Sequence, residues 1–209
     1  MTSFARRERL ALADLAEQLG PDAPTLCGDW TTRELMAHLI VRESSPIGAP
    51  GILLKPLSGL TERETSRISA RDYADLVERV RRPALLSTSN LPLFEGLANR
   101  IEHFIHHEDI RRATPGWEAR TLPRKDQDAL WLPLRTLGPA LVRKAGVPVT
   151  LRRTDAGSRA VLRPGKEGVT VVGLPSEMVL FCYGRAQCHV QLAGNEDAIA
   201  ALQAADKGL

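Results

Sequence analysis

The sequence predicts an α+β protein in which a helical region, residues 1–145, precedes a small α+β domain, residues 146–209. Two changes of texture carry this. Up to Ala145 the apolar residues recur at the three- and four-residue spacing of amphipathic helices. Beyond Gly146 come short runs rich in valine and threonine, VPVTLRR, SRAVLRP and GVTVVGL, split by the turn signals Asp155-Ala156-Gly157 and Pro164-Gly165. A third observation bounds the class. Hydrophobic residues are 43% and charged residues 25% of the chain, as in ordinary globular proteins, and no stretch approaches the roughly 18 apolar residues of a membrane span.

The elements follow in order. Leu10, Leu12, Leu15 and Leu19 alternate with charged residues at helical spacing, and Gly20-Pro21 stops that first helix, Arg6 to Leu19. After the turn PDAPTLCGDW, Thr31 or Thr32 can cap a second helix to about Glu43 that buries Leu35, Met36, Leu39 and Ile40. The segment SSPIGAPGILLKPLSGLT holds too many glycines and prolines for a helix, and its length suggests a functional lid. Further helices are expected over Arg71 to Arg82 and Leu93 to Ala113, ended by Pro83 and by Thr114-Pro115-Gly116. A fifth, Asp126 to Ala145, is expected to kink or break at Pro133 and Gly138-Pro139. The valine-rich runs read as antiparallel strands. Pro175 opens a buried helix, Cys188 to Leu192 is a strand, and Glu196 to Ala205 closes the chain as a helix.

Composition excludes several function classes. A net charge of +3, dispersed arginines and 4% aromatic residues make no nucleic-acid footprint. Cys27, Cys182 and Cys188 form neither an even set nor a CxxC pair, so a reducing compartment is expected rather than a disulfide framework. The N-terminal stretch is amphipathic and lacks the apolar run of a secretory signal, which points to the cytoplasm.

Chemistry concentrates in Glu102-His103-Phe104-Ile105-His106-His107-Glu108-Asp109. Residues four apart on a helix share a face, so Glu102 with His106, or His103 with His107, can grip one ion. Phe94, Leu97, Ala98, Ile101, Phe104 and Ile105 mark the buried stripe. Relative to that stripe Glu102 sits at an edge, His106 just beyond it, His103 almost opposite the core and His107 on the other flank. The wheel therefore favours Glu102 and His106 without excluding His107. His38, on a separate helix, can supply a third donor if the two helices are neighbours. Two imidazoles and one carboxylate suit zinc, nickel, iron(II) or manganese and leave positions open for water or substrate. The competing reading is a cluster of surface histidines.

These residues resemble a known family. Trp30-Thr31-Thr32-Arg33-Glu34-Leu35-Met36-Ala37-His38-Leu39 is similar to the tryptophan-to-histidine motif of mycothiol-dependent maleylpyruvate isomerase-like proteins, within the DinB-like metal-binding superfamily. Glu102 to Ala113 resembles that family's ExxxH helix with its following aspartate, and Gly173 to Met178 with Tyr183-Gly184-Arg185 resembles its C-terminal domain. The HHED helix and the turn Pro115-Gly116-Trp117 place the resemblance in a branch of the superfamily apart from the isomerase itself. The resemblance implies a four-helix bundle, a metal site of His38, Glu102 and His106, and use of a low-molecular-weight thiol such as mycothiol. The activity expected is a zinc-dependent thiol transferase or isomerase acting on a small electrophile. The alternatives are a metal-dependent hydrolase, an iron(II) oxygenase and a non-catalytic metal-binding protein.

Other residues carry weaker signals. Asp109 can orient a metal ligand, but an exposed pairing with Arg112 is the plainer reading. Arg111 and Arg112 can hold an anionic substrate or merely suit a helix C-terminus. Trp30 reads as a core residue, and Cys182 with Cys188-His189 reads as packing rather than a second metal site.

Overall fold

The computed structural model describes residues 3–44, 58–83 and 98–207. Within them lie eight α-helices and four strands, which fall into two compact units, Met1–Glu118 and Ala119–Leu209. Among the described residues no helix is long and apolar enough to cross a membrane.

The first unit is a helical bundle of α1 (Phe4–Leu19), α2 (Thr32–Ser44), α3 (Ser58–Ser69), α4 (Tyr73–Arg81) and α5 (Ala98–Arg111). Local chemistry sets the helix starts. Ser3 accepts from the Arg6 amide at 3.3 Å, and Asp72 accepts from the amides of Ala74 and Asp75. Thr31 and Glu34 make a capping box on α2, in which the Glu34 carboxylate accepts from the Thr31 amide at 3.0 Å. α1 packs on α5 and α4, and α2 on α3 and α4. Leu12, Ala13, Leu35, Met36, Ala37, Leu39, Leu76 and Ile110 fill their shared core.

Two expectations for this unit need correction. Ser58–Ser69, whose first residues were assigned to the long loop, is helical, and the loop's other residues, 45–57, lie outside the described set, as do 93–97 at the expected start of α5. The helix was illegible because, among its described side chains, only Thr65 and Ile68 are buried. The wheel also placed His103 opposite the core, yet it is 2% exposed. α5 buries residues around nearly its whole circumference, so a single apolar stripe cannot define its inside.

The second unit begins with α6 (Arg124–Leu141), which packs on α7 and β2, not with the strands as the sequence reading had it. α6 runs through Pro133 and Pro139 without a break. Gly138 serves close packing instead of ending the helix: a Cβ there would lie 2.8 Å from Leu162 Cδ2 on β2. The strands β1 (Val149–Arg153), β2 (Arg159–Arg163), β3 (Val169–Gly173) and β4 (Gln191–Gly194) form a sheet of order β2-β1-β3-β4. β1–β2 and β3–β4 are antiparallel, but β1–β3 is parallel, so the sheet is mixed where antiparallel pairing was expected. The crossover passes tightly, since a Cβ on Gly168 would stand 2.4 Å from the Pro148 carbonyl oxygen. α7 (Pro175–Cys182) is buried at every position, and α8 (Glu196–Ala204), capped by Asn195, closes the unit.

Candidate metal centre

α2 and α5 bring three candidate ligands together. One donor atom from each of His38, Glu102 and His106 lies within 4.8 Å of the others. His106 Nε2 stands 3.4 Å from Glu102 Oε2, and the His38 and His106 rings meet edge to face at 5.5 Å. Around a tetrahedral ion with bonds of about 2.0 Å, neighbouring donors sit about 3.3 Å apart, so Glu102 and His106 are already spaced for one. His38 Nδ1 is buried with no hydrogen-bond partner among the described residues, and its ring is held by Trp30, whose centroid is 5.0 Å away. A buried imidazole nitrogen without a partner is what a metal ligand looks like before the ion arrives.

Electrostatics prepare two of these donors. Burial, aided by the positive potential of His106 and Arg42, pushes His38 down to about 3, so its lone pair is free at neutral pH. Burial alone would raise Glu102, but the hydrogen bond to His106 and the charge of Arg42 outweigh it and bring it to about 2, leaving a carboxylate. Burial opposes charge on His106, yet hydrogen bonds to Asp109, Cys27 and Glu102 hold it well above the ordinary histidine value. An ion binding at Nε2 would displace a proton there.

Asp109 is completely buried, which overturns the expectation of an exposed partner for Arg112. Its Oδ2 lies 2.9 Å from His106 Nδ1 and accepts from the Cys27 thiol at 3.0 Å. A carboxylate only accepts, so Nδ1 carries the proton and Nε2 is left to face Glu102. This is the carboxylate–histidine arrangement that orients metal ligands.

The role of the turn before α2 was missed in the sequence. The Leu26 amide donates to the Asp109 carbonyl at 3.1 Å, Thr25 Oγ1 donates to the Trp30 carbonyl at 2.7 Å, and Pro24 bridges Thr31. The braced turn thus lays Cys27 against Asp109 and Trp30 against His38. Trp30 is packed against the core as expected, and it touches the site as well. A cysteine and a tryptophan flanking one tight turn were the available signal. Cys27, His106 and Asp109 also bring one donor atom each within 4.8 Å.

Other candidates are engaged elsewhere. His103 Nε2 sits 2.9 Å from Glu43 Oε1 and 3.1 Å from Arg9 Nη2, in a buried cluster that includes the Arg9–Glu43 pair. His107 Nδ1 lies 2.9 Å from Glu8 Oε2 on α1, and His107 enters no ligand group among the described residues. Arg111 and Arg112 both pair with Glu108, and Arg112 stacks 4.6 Å over Trp117, which accounts for the Pro-Gly-Trp turn. Cys182 is buried, and burial pushes its thiol up to about 12; the Cys188 thiol donates to the Arg185 carbonyl. Neither enters a ligand group among the described residues.

Fold and site together define an α+β protein whose helical unit converges two histidines and a carboxylate on one point. No protein-family model and no curated protein matches the chain. Among solved structures it is similar to the mycothiol-dependent maleylpyruvate isomerase, with a TM-score of 0.53 at 17% identity over 92% of this chain and 96% of that one. A histidine-to-alanine mutant of that isomerase matches with a TM-score of 0.55 at 19% identity over the same shares. At such identities the likeness establishes a common fold.

Proposed function

We propose that His38, Glu102 and His106 hold one divalent ion, zinc by the chemistry of the donor set, and that the protein is a thiol-utilising transferase or isomerase acting on a small electrophile. The observation that carries this reading is the convergence of a neutral imidazole, an ionised carboxylate and an oriented imidazole within 4.8 Å. The shared fold with a mycothiol-dependent isomerase supports mycothiol, or a similar small thiol, as cosubstrate.

A divalent cation there would stabilise a thiolate and so supply a nucleophile at neutral pH. The chain's own groups do the rest. Burial keeps His38 unprotonated, Asp109 fixes the His106 tautomer, and Cys27 holds Asp109 in place. Three ligands leave room for an exchangeable one, the usual mark of a reactive site. A cytoplasmic location suits three free cysteines.

The test is elemental analysis of untagged protein, followed by conjugation of a small thiol to a chromogenic electrophile. Wild type should carry about one equivalent of metal and accelerate conjugation, and His38→Ala should lose both. A wild type that takes up no zinc, or a His38→Ala variant of undiminished activity, refutes the proposal.

A further inference from the structure

The seam between α2 and α5 continues one turn beyond the ligands. Arg42 follows His38 by four residues on α2, and Asn99 precedes Glu102 by three on α5, so each lies on the same face as its ligand. Arg42 Nη1 donates to Asn99 Oδ1 at 2.8 Å, and Arg42 Nε stands 3.5 Å from Glu102 Oε2. Among the described residues Arg42 Nη2 makes no hydrogen bond or ion pair, and its side chain is 15% exposed. Asn99 is 4% exposed, and its Nδ2 donor is buried without an acceptor. Buried donors without acceptors are rare and point to a missing acceptor. Asn99 Nδ2 is such a donor, and the partly exposed Arg42 lies beside it: the amide oxygen of Asn99 is spent on Arg42, and both groups have only N–H bonds left to offer.

We propose that Arg42 and Asn99 form an anion-binding subsite that takes a carboxylate or similar acidic group on the thiol or electrophile bound at the neighbouring metal. The inference rests on the metal reading above and names the ligand class for it. Charge agrees. A dication and Arg42 outweigh the carboxylates of Glu102 and Asp109 by one charge, so the loaded site favours an anionic ligand. Arginine presents a planar fork suited to an acidic group. The arginines that stood out in the sequence, Arg111 and Arg112, are committed to Glu108, which leaves Arg42 to this role.

The experiment uses cobalt(II)-loaded full-length protein and two thiols of equal length, 2-mercaptoethanesulfonate and uncharged 2-mercaptoethanol, titrated by the thiolate-to-cobalt absorption. A sulfonate is a poor metal ligand, so a preference for it reports the protein's own groups. Wild type should bind the sulfonated thiol about tenfold more tightly, as a charge-assisted contact implies. Arg42→Gln should bind both alike. If Arg42→Gln sheds cobalt, Arg42→Lys serves: it keeps the charge and should keep most of the preference. Equal binding of the two thiols by wild type, a full preference in Arg42→Gln, or loss of the preference in Arg42→Lys overturns the subsite while leaving the metal reading intact. Failure of wild type to take up cobalt overturns both.

Discussion

Cys27 shows how a single side chain acts through its neighbours. It donates to the same Asp109 oxygen that faces His106 Nδ1, so it holds the carboxylate that orients the candidate ligand. Groups supporting a metal-bound histidine typically contribute 10- to 100-fold in affinity when removed. Cys27→Ala should therefore weaken zinc binding about tenfold in a competition assay, whereas Cys27→Ser keeps a donor and should lose far less. Equal losses in the two variants would mean that the thiol merely fills space. Glu102 and His106 stood out as a candidate pair because helix spacing puts residues four apart on one face, and His38 joined them as a candidate through the family resemblance. Asp109 was legible only as one of two readings of its helix position, and Cys27 was not: its contact with Asp109 joins residues 82 apart in sequence, and spacing carries no information about such a contact.

Elements respond to packing that overrides local preference. Proline and glycine read as helix breakers, yet α6 passes through Pro133, Gly138 and Pro139, because Leu130, Trp131, Leu134 and Leu141 bury its inner face. The cost of a missing backbone donor is offset by that burial. Gly138 is where α6 meets Leu162 most closely. Gly138→Val should destabilise the protein by about 1–3 kcal/mol through overpacking, while Gly138→Ala should come close to neutral, since a gain of up to about 1 kcal/mol in helix propensity offsets a smaller clash. Urea denaturation measures both, and an unchanged midpoint for Gly138→Val would rule out the close contact. The β1–β2 hairpin carries a pH-dependent brace. Arg153, 4% exposed, donates from Nε and Nη2 to Asp155 at 2.9 and 2.7 Å, and this pairing holds the Asp155 carboxyl below its usual value. A depressed carboxylate adds stability above its unfolded value of about 3.9 and loses it as the pH falls through the lower folded value. Asp155→Asn should thus flatten the acid-induced loss of ellipticity below about pH 4. A wild-type slope in the variant would show that the ion pair contributes nothing.

For the whole molecule, metal binding and stability are linked. A ligand that binds only the folded chain at 100 times its dissociation constant adds about 2.7 kcal/mol. Saturating zinc should raise the thermal midpoint of wild type and leave that of His38→Ala unmoved, and an equal rise in both would assign the effect to nonspecific binding. The α+β class and most helix limits follow from the sequence alone, because caps, breakers and apolar periodicity act within a few residues. So does the pairing of Glu102 with His106. Tertiary structure alone decided the rest. It set α6 beside the sheet, ran β3 parallel to β1, buried His103 with Glu43 and Arg9, and set the braced turn of Cys27 and Trp30 against the candidate ligands. Apart from Trp30 on His38, these are contacts between residues far apart in the chain, chosen by which surfaces and charges can be buried together, and no local pattern encodes that choice.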